Sequence, residues 1–279
     1  MDWRRGQWGW LENQGIHWVR DNTLMDTGLV RQGFIGRSGG VSVPPYGSLN
    51  IGYSTGDDIQ AVRENRRRIE SALQLPLESW SCLRQIHGTS VKKITAKEAG
   101  LGIMDPEVAL SRADAQITDE SGVVLVTQHA DCIPLYVLDP VKPAIGLAHA
   151  GWRGTLRNIA GALVDAMAQA YGSKPADMLA AIGPGAGPCH YEVDEPVMLL
   201  AEKCFGAVSG ALEALLQPSP NPGRAYLDLW EANALLFEKY GIPAKQISLA
   251  GICTICDNDR LFSYRKKDKG RQAAFFSLQ

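Results

Sequence analysis

The sequence predicts an α+β protein folded as one domain, on three observations. Short β-type apolar runs recur along the chain, at Val123 to Thr127, Ala144 to Ala148 and Met178 to Ile182. Other segments carry apolar residues three and four apart, clearest at Leu156, Ile159, Ala160, Leu163, Val164 and Met167. No internal repeat or low-complexity linker divides the 279 residues, so a single domain over 1–279 is the economical organisation.

Ile16 to Arg20 and Val30 to Ile35 read as short strands separated by polar turn residues around Asp21 and Asn22. Gly39, Gly40, Pro44, Pro45 and Gly47 then form a loop into Ser48 to Gly52. Asp57 and Gln60 have capping-box spacing, which opens a helix running to about Leu73, with Asn65 and Arg66 inside it. A strand from Ser81 to Ile86 stops at His87, and an irregular stretch from Thr95 to Arg112 leads to another strand at Ala113 to Thr118. The run Val123 to Thr127 continues through His129 and Asp131 to Cys132, and Ala144 to Ala148 delivers His149 ahead of the turn Gly151 to Gly154.

From Thr155 the period switches to that of a helix, so this turn precedes a helix start. Met178 to Ile182 ends in a loop from Gly183 to Pro188, and Asp194 caps a helix with Pro196 in its first turn. Leu227 to Tyr240 forms a further amphipathic helix, closed by Gly241 and Pro243. Strands at Gln246 to Ala250 and Gln272 to Leu278 complete the reading.

A formal charge of -2 gives no basic field for nucleic acid or an anionic membrane, so an anionic ligand has to be captured locally. Six scattered cysteines in a chain of this size read as reduced thiols of a cytoplasmic protein. The tryptophan-rich start contains no apolar stretch of signal-peptide length, and no run is long enough to span a bilayer. The expected assembly is a monomer or a small homo-oligomer.

His87, Cys132 and His149 supply two imidazoles and a thiolate, a donor set that suits zinc and leaves one tetrahedral position open. Two other readings compete: Cys132 as a nucleophile with a histidine base, or a buried thiol beside ordinary strand-end histidines. Asp114 and Asp131 are candidates for orienting a histidine or moving a proton. Gly151 to Thr155, with Arg153, offers backbone N–H groups and a guanidinium to phosphate or carboxylate; the plain alternative is a strand-to-helix turn. Cys253 and Cys256 form a CxxC without a second such pair to complete a zinc knuckle. His190 and Glu192 match half of the zinc-deaminase pattern, but Ile252 stands where its proline belongs.

These motifs resemble the YfiH/YlmD family. The residues that carry the likeness are HG at His87, ADA-x-x-T at Ala113 to Thr118, ADC-x-P at Ala130 to Pro134 and HAGWRG at His149 to Gly154. IGP at Ile182 to Pro184, CT at Cys253 and FSYR at Phe262 to Arg265 extend it, so that it runs from about Gly33 to the end. The family's names include multicopper polyphenol oxidase (laccase), purine nucleoside phosphorylase and peptidoglycan editing factor.

The resemblance implies a four-layer α/β/β/α sandwich with mixed sheets and zinc held by His87, Cys132 and His149. It implies phosphorolysis of adenosine, inosine, guanosine or methylthioadenosine, together with adenosine deamination. By motif position Asn50 and Arg66 match substrate contacts, while Arg153 and Arg265 suit phosphate on chemical grounds. Cys189-His190 stands where many relatives have two cysteines, and no role is carried onto His190. A laccase centre needs about ten histidines. This chain has five, which excludes a multicopper centre within it, although copper can occupy the His/Cys/His donors. The alternatives that remain are a metal-independent cysteine amidohydrolase editing cell-wall precursors and a binding protein with structural zinc.

Overall fold

Alternation along the β-type runs sorts their side chains between two faces, and that sorting builds the architecture. The computed structural model describes residues 6–108 and 110–279; the first five residues of the tryptophan-rich start lie outside them. The chain opens with β1 (Trp8–Asn13), β2 (Ile16–Asp21), α1 (Asn22–Met25) and β3 (Val30–Ile35). Then come α2 (Ile59–Leu73), β4 (Trp80–Cys82), β5 (Val91–Lys93), β6 (Ala115–Thr118), β7 (Val124–His129), β8 (Ile133–Asp139) and β9 (Ala144–Ala150). Helices α3 (Trp152–Leu156) and α4 (Ile159–Tyr171), strands β10 (Leu179–Ile182) and β11 (Glu192–Asp194), and helices α5 (Glu195–Phe205) and α6 (Ala211–Leu215) follow. The last elements are β12 (Leu216–Pro218), β13 (Arg224–Leu227), α7 (Leu229–Lys239), β14 (Ile247–Leu249) and β15 (Gln272–Leu278).

Two mixed sheets result, ordered β1-β2-β3-β15-β7-β4 and β14-β10-β8-β9-β6-β5, with a small sheet β11-β13-β12. In β7, Leu125 faces the second sheet while Val124 and Val126 face α2; in β15, Ala274 and Phe276 point inward while Ala273 and Phe275 meet α2. The second sheet does the converse. Ile145 and Leu147 of β9 and Tyr136 and Leu138 of β8 enter the core between the sheets. Ala144 and Ala148, with Ile133, Leu135 and Val137, pack against α4 and α7. The layers are therefore α2, first sheet, second sheet, α4 with α7, the four-layer α+β sandwich that the resemblance implied. No helix among the described residues is long and apolar enough to cross a membrane.

Several local expectations need correction. The N-cap of α2 is Asp58, whose carboxylate accepts from the Gln60 amide, whereas Asp57 accepts from Ser42 Oγ and Asn50 Nδ2. The strand expected over Ser81 to Ile86 is only β4, so His87 sits in a loop with φ 59°. The helix expected from Thr155 begins at Trp152 and breaks at Asn158, whose left-handed backbone (φ 70°) turns its side chain to cap Gly161. Strands β1, β5, β8 and the small sheet were not read from the sequence.

Candidate metal and nucleoside site

Strand register delivers two of the three predicted metal ligands to one point. In the antiparallel β8–β9 ladder Pro134 pairs with His149 and Ile133 with Ala150, so Cys132, just before β8, faces the turn after β9. His87 enters from the loop after β4. The ligand atoms of His87, Cys132 and His149 lie within 4.8 Å of one another, and the two histidine rings meet edge to face at 5.0 Å. His149 is buried, Cys132 half-buried and His87 exposed, so the cluster opens to solvent on the His87 side. Gly151 makes room for it: a Cβ there would lie 2.8 Å from Cys132 Sγ and 3.4 Å from His87 Cδ2.

Asp114 organises both histidines. Its carboxylate accepts from the amides of Ile86 (3.1 Å), His87 (2.9 Å) and Gly88 (2.7 Å), which fixes the loop that carries His87. Its Oδ1 also lies 3.1 Å from His149 Nδ1, which leaves Nε2 of that ring for the cluster. This is the carboxylate–histidine arrangement that orients a metal ligand. Burial works to raise the Asp114 pKa, but the His149 and Gly88 contacts outweigh it and hold the carboxyl below its usual range.

Burial would raise the Cys132 thiol, but His149 and His87 reverse that and bring it down to about 6. Burial likewise would lower His149, but Cys132 and Asp114 lift it to about 9. Without a cation the pair is therefore thiolate and imidazolium near neutral pH, and a cation bound there replaces the imidazolium proton. His129 is excluded from the cluster by its own partners. Its Nδ1 donates to the Cys132 carbonyl (2.9 Å), Nε2 accepts from Thr127 (2.8 Å), and burial, with the His149 charge, keeps the ring neutral.

The wall beside Cys132 hangs on Asp131, whose backbone is left-handed (φ 85°). That carboxylate accepts from Thr254 Oγ1 (2.6 Å) and from the Arg265 amide (2.8 Å). The Arg265 guanidinium stacks 4.5 Å over Tyr191 and donates to the Glu192 carbonyl, beside an open cleft of about 370 Å³ that Lys266 also lines. Burial, and then the charge on Cys132, push the Tyr191 phenol up to about 12. Arg271 is lowered by burial and lies within electrostatic reach of Cys132 and Asp131. Nothing in the sequence singled it out.

The four arginine and asparagine positions expected to contact substrate divide into two groups. Arg265 stands on the wall just described, and exposed Arg153 lies in α3, stacked 4.2 Å over Trp152. Asn50 and Arg66 are elsewhere. Arg66 is 2% exposed, stacks on Tyr53, and gives its donors to the carbonyls of Ile51 and Ile103. Asn50 is fully buried and accepts from the amides of Gly52 and Arg271. Both give polar atoms to the backbone of neighbouring loops. The turn at Gly151 leads into a helix of five residues, so the long helix start expected there is absent. A second cluster of metal-binding side chains joins Cys189, His190, Cys253 and Cys256.

The chain is also similar to known proteins over most of its length. The sequence profile of the family described as "Multi-copper polyphenol oxidoreductase laccase" matches residues 31–279. "Purine nucleoside phosphorylase YlmD" of Geobacillus stearothermophilus is 39% identical over 274 residues, covering 95% of this chain and 96% of that protein. "Purine nucleoside phosphorylase YfiH" of Escherichia coli is 34% identical over 87% of this chain and 91% of its own. The crystal structure of YlmD from Geobacillus stearothermophilus superposes with a TM-score of 0.89, at 37% identity, covering 96% of this chain and 98% of that one. With sequence and fold matched over almost their whole length, the chain belongs to the YfiH/YlmD family, the one that carries the laccase description.

Proposed function

We propose that this chain is a purine nucleoside phosphorylase with zinc held by His87, Cys132 and His149, and that the same site deaminates adenosine. The observation that carries the reading is the convergence of two imidazoles and a thiolate within 4.8 Å, with His87 on the open side. Relatives named purine nucleoside phosphorylase, matched over most of both chains, support the enzyme class. Zinc bound there supplies Lewis acidity, polarising the departing purine in phosphorolysis and lowering the pKa of water in deamination.

The protein's own groups prepare the rest. Asp114 holds the His149 tautomer whose Nε2 lone pair faces the cluster. Arg265 on the wall, Arg271 within reach of Cys132 and exposed Arg153 form the cationic surround that phosphate requires. Asp131 ties the Cys132 turn to the Arg265 segment, so thiolate and phosphate cation keep a fixed separation. Asn50, through its bond to the Arg271 amide, does the same for Arg271.

A second reading, a cysteine amidohydrolase, is favoured by one observation, the thiol brought down to about 6. Copper at the same donors would support a polyphenol oxidase activity. The test is turnover of inosine and adenosine with phosphate on protein of assayed metal content. Base and ribose-1-phosphate released with zinc present support the proposal, and Cys132→Ala then abolishes both activities. Full zinc without turnover overturns it. Alkylation of Cys132 that ignores a chelator and stops an amidase activity establishes the second reading.

A further inference from the structure

The CxxC at Cys253 and Cys256, without a matching pair in the sequence, acquires one in the fold. Parallel neighbours β10 and β14 end at the same edge, and the loops beyond them continue the ladder. Ala250 donates to the Ile182 carbonyl (2.9 Å), Gly185 to that of Ile252 (3.1 Å), and Thr254 to that of Gly185 (3.0 Å). The first loop thereby brings Cys189 and His190 against Cys253 and Cys256. Gly187 permits the approach, since a Cβ there would lie 2.5 Å from the Trp230 ring and 3.3 Å from Cys253 Cβ.

The four donor atoms lie within 4.8 Å of one another, with Cys189 Sγ to Cys256 Sγ at 3.4 Å and Cys256 Sγ to His190 Nδ1 at 3.3 Å. A zinc tetrahedron with ordinary bond lengths has edges of about 3.8 Å between sulfurs and about 3.6 Å between sulfur and nitrogen. Only a few tenths of an ångström separate the observed edges from these. The Gly187 amide also donates to Cys253 Sγ at 3.3 Å, which fixes the orientation of that side chain. Three thiols and one imidazole form a donor set typical of structural zinc.

We propose that Cys189, His190, Cys253 and Cys256 form a second zinc site, structural and distinct from the triad. Four protein ligands fill the tetrahedron and leave no position for substrate. The ion braces the wall of the first site. Thr254, between the two CxxC cysteines, holds Asp131, and Tyr191, next to His190, carries the stacked Arg265.

Chain purified under reducing conditions is assayed for metal and thiols, as wild type, Cys132→Ala and Cys253→Ser/Cys256→Ser. The expected result is two zinc ions per wild-type chain and one in each variant. Cobalt(II) in Cys132→Ala is expected to show thiolate-to-cobalt charge transfer and tetrahedral d–d absorption, and adding His190→Ala shifts the d–d bands and weakens cobalt binding while the three thiolates retain charge transfer. That exposed histidine provides a milder variant should the double serine substitution fail to fold. Wild type with one zinc, lost completely in Cys132→Ala, overturns the proposal. So does a Cys189–Cys256 disulfide in freshly purified protein, detected by peptide mapping.

Discussion

Substituting alanine at Gly151 perturbs the metal triad through a single added carbon. The backbone there is extended, with φ −80° and ψ 173°, which alanine adopts freely, so the effect is purely one of contact. The new Cβ lies 2.8 Å from Cys132 Sγ, whereas relaxed contacts begin near about 3.5 Å, so the sulfur has to retreat by roughly 0.7 Å. Metal–ligand distances tolerate only about 0.2 Å, so the displaced thiolate and bound zinc cannot both be accommodated. Overpacking of this kind costs about 1–3 kcal/mol, and if it falls on metal binding the zinc affinity drops about 5- to 150-fold. The assay is protection of Cys132 from iodoacetamide against free zinc, read by peptide mass so that only the triad thiol is counted. Gly154→Ala is the comparison, because its Cβ meets the Gly88 carbonyl at a milder 3.3 Å. Wild-type protection in Gly151→Ala would refute both the contact argument and the assignment of Cys132 as a ligand.

Other perturbations separate the remaining roles. Asp114→Asn weakens zinc binding about 10- to 100-fold in chelator competition and speeds amide exchange at Ile86 to Gly88, since one carboxylate serves both. Unchanged values for both would remove Asp114 from the site. In metal-free protein the depressed Cys132 pKa means that thiolate persists down to about pH 6 and is lost below it. Its alkylation rate therefore rises through about pH 6 and levels off, and a midpoint near an ordinary thiol's would contradict the His149 pairing. Arg66→Lys leaves carbonyls of Ile51 or Ile103 short of a donor, at about 1–3 kcal/mol each by urea denaturation, with nucleoside KM unchanged. Wild-type stability with a raised KM would instead restore Arg66 as a substrate contact.

What the sequence revealed depended on how local its signal was. Cys132 and His149 were legible because each closes or follows an apolar run whose period fixes which way the chain leaves the sheet. His87 was legible by chemistry, although its strand ends four residues earlier than expected, at Cys82, and Asp114 rather than a ladder fixes its loop. The surroundings of Arg66 were not legible, because it is one of three consecutive arginines on a helix and only tertiary packing shows that Tyr53 and two carbonyls enclose it. Strand β8 was hidden by Pro134, which is tolerated in a central strand at its start. The Cys189–His190 pairing with Cys253 and Cys256 was illegible, because it arises from two parallel strands ending side by side.

The position of β15 has a kinetic consequence. It lies between β3 and β7, pairing Leu278 with Val30 and Gln272 with His129, so the first sheet is closed by contacts spanning nearly the whole described sequence. Loop closure on that scale makes the sheet slow to assemble, and until β15 docks, β3 and β7 each present an open edge. His129, which holds the Cys132 carbonyl, is fixed by the same docking. On this hypothesis the thiol takes its native position late, and metal capture follows folding instead of templating it. Pulsed hydrogen exchange during refolding reads the order directly: protection at Thr127 to His129 should rise together with that of Gln272 to Leu278, and earlier protection would reverse the sequence of events.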